Sequence, residues 1–583
     1  MKKYTELLSF LIPFVVYLFT TSPEVSFFDS GELISSAFTL GITHPPGYPL
    51  YVMLSHPFIY LPFGNVALKI ILFSTFMGSL CGYITYKIAS EVLKNIEQNE
   101  IVALLSSLTF SFSYTVWSQS VVAEVYCLST FIIAFCVYLL LRYLSSPSNN
   151  LLFLVSFLFG VSITAHYTSL VLFPIMLFVV IKKDFKQLYD AKLIFTCLFF
   201  FIFGLSTLLY LPFRAWQENA LTWGDPQNIS QFLWLILRKG YAIPGPERSF
   251  SLFFEQMKSF NLYREFGAVA LFFVVFGFIA GFKKHKDFIA IAVIVLLVLN
   301  VGIVIYGNPI EENIFLLESF HVPGYLMLAI FTGISVVEIV NFFSKFKIKK
   351  LLITALSLLI IPVSSFAVNY STNNWSDYYI SYDYGKNVLK SCKYNSVLFT
   401  WGDSGAFPLW YLQYVEKYRT DVVLLHCPHL DAYWFWRDKI GLVEKERLYS
   451  MWETSQGPEN MVRFIIRELY GKRPLHVDYS TKYSVTLPGL YFYPDGLVYT
   501  FSTDFVKAKR ENFEFAVFRG LKDFDELKDL DTEKAISIYA FCLYDVGVNL
   551  VMNNDPSGRE LIKKAVDLLP SLKPQAISII GFF

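Results

Sequence analysis

Charge is what this sequence has least of. Only 16% of its 583 residues are Asp, Glu, Lys or Arg, against about 25% in an ordinary soluble domain, so most of its surface cannot face water. A soluble globular enzyme and a disordered chain are excluded on that ground. Net charge is missing too: 48 basic residues against 47 acidic ones leave +1, no electrostatic footprint for DNA or RNA. Nucleic acid is therefore not an expected partner. Cysteine is sparse, seven in all and with no Cys-x-x-Cys pair. The three beyond residue 369 (Cys392, Cys427, Cys542) are too few and too scattered for a disulfide scaffold or a zinc site.

Apolar and aromatic residues fill the space that charge leaves. Hydrophobic residues make up 55% of the chain, with 59 Phe and 37 Tyr, the composition of lipid contacts and membrane interfaces. The two parts of the chain differ. Residues 1–369 carry 23 basic and 20 acidic residues, whereas the shorter stretch 370–583 carries 25 and 27. The first part reads as a transmembrane domain and the second as water-facing.

A spanning helix needs roughly 20 apolar residues. Apolar runs near 7–20, 66–90, 101–118, 125–141, 151–166, 168–181, 193–212, 266–282, 288–306, 320–343 and 351–368 predict about eleven spans. The first follows Met1-Lys2-Lys3 and precedes Pro23-Glu24 with no small-x-small cleavage site, so it reads as a retained span. Basic residues cluster at every second boundary: Lys2/Lys3, Lys87/Lys94, Arg142, Lys182/Lys183/Lys186, Lys283/Lys284/Lys286 and Lys345–Lys350. The positive-inside bias then puts the N-terminus in the cytoplasm and residues 370–583 outside a multi-pass inner or plasma membrane.

The predicted external loops hold the unusual residues. Asp29-Ser30-Gly31-Glu32 stands just past the first span, in a long loop, 22–65, expected to form short interfacial helices. Two carboxylates at i and i+3 share one helix face and suit a base with its orienter, or a cation. The same string also reads as a helix N-cap with a capping-box glutamate. His44-Pro45-Pro46-Gly47-Tyr48-Pro49 is a stiff turn that fixes His44 and Tyr48 in place; a purely structural corner accounts for the prolines but not for the histidine. Trp117, Glu124 and Tyr126 lie at an external hairpin, and an ionisable group at a membrane boundary such as Glu124 is a functional candidate. His166 sits at another external end, where a packing histidine is the plain alternative. Arg214 and Arg238 can grip a lipid phosphate bidentately or simply snorkel to headgroups.

Beyond the membrane part, short strands are expected at 395–400, 421–425 and 475–479, with a hairpin over 490–501. This β–turn–α–β order predicts a small α/β domain, 370–530. Asp403, in the Trp401-Gly402-Asp403-Ser404-Gly405 turn, is a candidate binding residue or an Asx-turn former. Helices at 533–552 and 558–569, joined by Asn553-Asn554-Asp555-Pro556, predict a tetratricopeptide-like hairpin over 531–583.

The string from Phe28-Asp29-Ser30-Gly31-Glu32 to His44-Pro45-Pro46-Gly47-Tyr48-Pro49 resembles the N-terminal signature of a membrane family that includes the vertebrate O-mannosyltransferase acting on plexin-type IPT domains. Trp117 with Glu124-Val125-Tyr126, His166 with Thr168, Pro212-Phe213-Arg214, Gly224-Asp225-Pro226 and Gly402 to Tyr411 resemble the same family. The chain departs from it at Tyr167, where many members have a second histidine, and at Glu318-Ser319-Phe320. The resemblance implies a GT-C glycosyltransferase architecture, an outer-face site and a polyprenyl-phosphate sugar as donor, with mannose suggested by the vertebrate relative, and with Asp29 at the acidic catalytic position and Glu32 as the motif's second acid. The expected reaction is an inverting transfer to an acceptor hydroxyl on protein or glycan. Asp29 acts as base; Glu32 orients; His44, Tyr48, Glu124, Tyr126, His166 and Asp403 line the substrates; Arg214 and Arg238 hold the lipid phosphate. No cofactor is required in principle, although the Asp/Glu pair could hold a divalent metal. A flippase of lipid-linked sugars and a non-catalytic scaffold are the competing readings.

Overall fold

The computed structural model describes residues 2–217, 221–241, 245–345, 349–439, 441–454, 457–504, 506, 508, 519 and 529–581. Long unbroken apolar stretches leave the backbone no partner but itself, so the first part is helical. Among the described residues nine helices are long and apolar enough to cross a bilayer, and eight of them precede residue 374. They begin with α1 (Lys2–Thr20). Three further runs expected to span form the shorter helices Asn99–Ser111, Asn149–Ile163 and Leu172–Asp184. The ninth long helix, Leu530–Met552, falls outside the membrane part and packs against the helix Ile380–Ser391 and the C-terminal hairpin partner.

Ion pairs tie the basic helix ends together. Lys87 meets Glu6 at 2.9 Å, Lys94 meets Glu91 at 3.0 Å, Lys182 meets Asp287 at 3.4 Å, Lys284 meets Glu338 at 2.6 Å and Lys350 meets Glu97 at 2.8 Å. Exposed pairs of this kind contribute little stability. Their value here is topological: they place the basic boundaries at one end of the bundle. The loop after α1 belongs to the opposite end. It folds into α2 (Ser30–Thr39), α3 (Pro49–Ser55) and a short 3-10 turn, the interfacial helices that the sequence predicts.

The C-terminal part holds one five-stranded sheet in the order β2-β1-β3-β5-β4. Its strands are β1 (Val397–Thr400), β2 (Val423–His426), β3 (Leu475–Val477), β4 (Tyr491–Asp495) and β5 (Val498–Ser502). β1 runs parallel to β2 in the register Val397↔Val423 and parallel to β3 in the register Val397↔Leu475. β4 and β5 form the expected antiparallel hairpin. The terminal pair is Leu530–Met552 with Gly558–Leu568, followed by a third helix, Lys573–Ile580, that periodicity did not reveal. At the Trp401–Gly405 turn a regular helix begins, Asp403–Trp410, and gives way to a wider turn over Tyr411–Val415.

That Asp403–Trp410 helix lies directly on α2. The approach is close enough that a Cβ at Gly31 would collide with the carbonyl oxygen of Phe407. Gly31 is therefore required by the neighbouring backbone, not by its own conformation. Gly31→Ala is expected to cost about 1–3 kcal/mol through forced displacement, read as a lowered melting temperature of the detergent-solubilised chain; an unchanged transition means the two helices separate freely.

Candidate functional site

The site grows from two short segments of the first loop. α2 begins at Ser30 with Asp29 in the N-cap position, yet the Asp29 side chain makes no cap hydrogen bond. The capping-box alternative is thereby overturned. Glu32 does not reach back to Asp29; it reaches forward to His44. One Glu32 oxygen accepts the His44 backbone N–H at 2.7 Å and the other meets Nδ1 at 2.6 Å. Glu32 is fully buried, and an ionised buried carboxylate needs two such donors.

The proline turn supplies the histidine. Gly47 sits at φ +94° and its N–H bonds to the His44 carbonyl at 2.8 Å, folding the Tyr48 ring against the His44 ring at 5.0 Å. His44 thus spans two carboxylates: Nδ1 faces Glu32 and Nε2 stands 3.8 Å from an Asp29 oxygen. The Asp29 side chain keeps one third of its surface open, so it is the member of the trio that a ligand can touch.

A row of rings continues on both sides of His44. Tyr48 stacks on His166 at 5.8 Å, His166 on Tyr167 at 4.4 Å, and the Arg238 guanidinium lies over Tyr167 at 4.8 Å while donating to its hydroxyl. In the other direction Trp223 lies 6.1 Å from His44. Its loop is bound to the first one: Ile42 N–H donates to the Leu221 carbonyl at 2.8 Å and Trp223 N–H to the Ile42 carbonyl at 3.2 Å. Tyr126 completes the row from below, 5.3 Å from His166.

Electrostatics assign the protonation states. Burial raises the Asp29 carboxyl, opposed by the His44 charge; Asp403 adds to the rise and Arg238 to the opposition. Burial also raises Glu32, with His44 opposing it. Desolvation disfavours charge on His44, but Glu32 and Asp29 overcome it and lift the ring to about 9. Glu124 is raised well above the usual carboxylate range, by burial first and the Asp29 charge second. Burial pushes His166 down to about 3, with the Arg238 and His44 charges adding to it; its Nδ1 accepts from the Thr168 backbone N–H.

Most of the expected site residues therefore meet. Asp29, Glu32, His44, Tyr48, Glu124, Tyr126, His166 and Arg238 form one cluster, and Asp403 comes to it from the C-terminal part, within electrostatic range of Asp29 and His44. Arg214 is the exception. Its Nε donates to the Leu40 carbonyl at 2.7 Å and Nη2 to the Thr39 carbonyl at 3.2 Å. It fastens the C-terminal end of α2, and the lipid-phosphate role expected for it is corrected to one of positioning. Sequence reading missed Glu265, a buried carboxylate that accepts from the Thr115 N–H at 3.0 Å and from the Thr115 hydroxyl. It also missed His426 and His429, at the C-terminal end of β2. The available signal was position: sites of parallel α/β sheets gather at the carboxyl ends of strands.

Among the described residues, only Asp29, Glu32 and His44 form a group whose ligand atoms lie close enough to share a metal ion, all within 4.8 Å. A divalent ion and a proton on His44 would compete for the same place.

Comparison with known proteins follows the same residues. Residues 29–189 match the family model of the protein O-mannosyl-transferase TMEM260 N-terminal domain, and residues 381–455 match TMEM260-associated domain 2. Over 472 residues the chain is 25% identical to protein O-mannosyl-transferase tmem260 of Dictyostelium discoideum, covering 72% of this chain and 57% of that one. Over 224 residues it is 30% identical to the Mus musculus protein of that name, covering 37% of this chain and 31% of the relative. The chain thus spans little more than half of one curated relative and under a third of the other. Crystal structures of ArnT from Cupriavidus metallidurans, in the apo state and bound to undecaprenyl phosphate, superpose with a TM-score of 0.52 at 10% identity over 85% of this chain and 97% of ArnT. The fold is the GT-C membrane fold.

The His44 geometry predicts a pH dependence of stability. A group held at about 9 in the folded chain, against about 6.5 when unfolded, contributes fully below pH ~6.5 and loses its contribution as pH rises through about 9. The melting temperature should fall across that window, by an amount corresponding to about 3 kcal/mol. His44→Gln should flatten this part of the profile.

Proposed function

We propose that this chain, whose residues 29–189 match the TMEM260 N-terminal domain model, is a membrane glycosyltransferase that moves a mannosyl residue from a polyprenyl-phosphate carrier to a hydroxyl on an extracytoplasmic protein. The observation that carries this reading is the Asp29–His44–Glu32 trio: a partly open carboxylate held 3.8 Å from a histidine that a buried second carboxylate anchors. The printed names of the relatives support the sugar and the acceptor class, and the carrier bound in ArnT supports the donor class.

The chemistry is a single displacement. Asp29 takes the proton from the acceptor hydroxyl as its oxygen attacks the anomeric carbon. The bond from that carbon to the carrier phosphate breaks, and its electron pair leaves on the phosphate oxygen. A base of this kind contributes typically 10²- to 10⁴-fold. The His44 charge favours the ionised form of Asp29 despite its burial, and Glu32 fixes the ring that carries the charge. Arg238, above Tyr167, is the cation placed to meet the leaving phosphate. Inverted configuration at the sugar follows from one displacement.

Two measurements test the assignment. Asp29→Asn should keep the melting temperature within a few degrees and lower transfer by about 10²–10⁴-fold; undiminished turnover removes Asp29 from the mechanism. Arg238→Gln should raise the donor KM more than the acceptor KM, and a defect confined to the acceptor contradicts its phosphate role.

A further inference from the structure

Beyond His44 the ring row enters the C-terminal part. Trp223 makes an edge contact with His429 at 4.3 Å, stacks on Trp434 at 5.3 Å and meets Trp410 at 6.2 Å. His429 in turn touches His426 at 4.4 Å. This wall has unused polar capacity. His429 Nδ1 and Trp434 Nε1 are buried and without a hydrogen-bond partner. His426 Nε2 stands 3.5 Å from an Asp403 oxygen, and the Asp403 side chain is 58% exposed. Buried polar atoms without partners are rare in folded proteins and call for a ligand or another explanation.

Position narrows the ligand. Asp29 lies beside His44, in the middle of the ring row. Arg238 closes one end and the Trp223 wall the other. An in-line displacement brings the acceptor from the side opposite the leaving phosphate. If Arg238 meets the phosphate, the acceptor lies toward Trp223 and Asp403. Indole faces beside a carboxylate and buried ring nitrogens suit a peptide: main-chain N–H groups find Asp403, carbonyls find the Trp434 N–H, and apolar side chains find the Trp faces.

We propose that Asp403, His426, His429, Trp223 and Trp434 form the subsite that holds the acceptor polypeptide on either side of its reacting hydroxyl. This rests on the glycosyltransferase reading above for the direction of attack, while the binding itself is measured without it. His426 is a positioning residue, aiming the Asp403 carboxylate; Trp223 links the subsite to His44.

The probe is a blocked pentapeptide with a central threonine, acetyl-Ala-Val-Thr-Val-Ala-amide, added to the full chain in nanodiscs and followed by intrinsic tryptophan fluorescence. Saturable quenching is expected, with Asp403→Asn weakening binding about tenfold and Asp29→Asn leaving it within twofold. In transfer assays Asp403→Asn and His426→Gln should raise the acceptor KM and leave the donor KM unchanged. Peptide binding that Asp403→Asn does not alter overturns the proposal, as does the absence of saturable quenching in the wild-type chain. Quenching by a manno-oligosaccharide in place of the peptide also overturns it. Should Asp29→Asn still transfer sugar while the peptide results hold, the base assignment fails and the subsite stands.

Discussion

A buried carboxylate bound twice by the same residue organises the first loop of this protein. Glu32 takes both the backbone N–H and the ring nitrogen of His44, so α2 and the proline turn cannot move independently. Removing either partner strands a polar group in a dry place, a large penalty relative to the modest net worth of the bond. The arrangement also fixes the sign of the potential at Asp29. His44 brings an imidazolium that faces both Asp29 and Glu32.

The same constraint connects the membrane bundle to the water-facing part. α2 carries Asp29 at one end and accepts the Asp403–Trp410 helix along its side, where Gly31 permits backbone contact. Arg214 holds the other end through the Thr39 and Leu40 carbonyls. α2 is therefore held near its start by the His44 turn and the Asp403–Trp410 helix, and at its finish by Arg214. Such over-determination is what a precisely aimed carboxylate needs, because small misplacements of reacting groups are costly in rate.

What the sequence disclosed follows from the range of the forces involved. Hydropathy is a sum over neighbours, so the apolar runs were legible, and so were the strands at 397–400, 423–426 and 475–477. The Asp29–Glu32 spacing was legible as a shared helix face. Its meaning was not, since a capping box and a forward-reaching glutamate have the same local pattern; the decision is made by His44, twelve residues on. Arg214 misled for a similar reason. A basic residue near headgroups looks alike whether it meets a phosphate or two carbonyls. His426 and His429 gave no periodic signal at all, and only the strand order explains why they stand beside Trp223.

The crowding of acids around His44 raises the question of which one would act as base. Asp29, Glu32, Glu124 and Asp403 share the region with two cations, His44 and Arg238. A phosphate arriving among four ionised carboxylates would be repelled. The structure separates their roles by environment, the general means by which one site runs acid and base chemistry. Glu124, raised furthest by burial and by its neighbour Asp29, is the carboxyl that keeps its proton. Glu32 has its charge matched by His44 through two contacts and no surface left for a ligand. Asp403 lies mostly exposed beside His426. Asp29 alone joins partial exposure to a facing imidazolium, so in the proposed reaction it is the acid free to meet an acceptor hydroxyl, with the His44 charge opposing the rise that burial imposes on it. Neutral Glu124 then lowers the repulsion that the incoming phosphate meets, and Arg238 supplies the attraction.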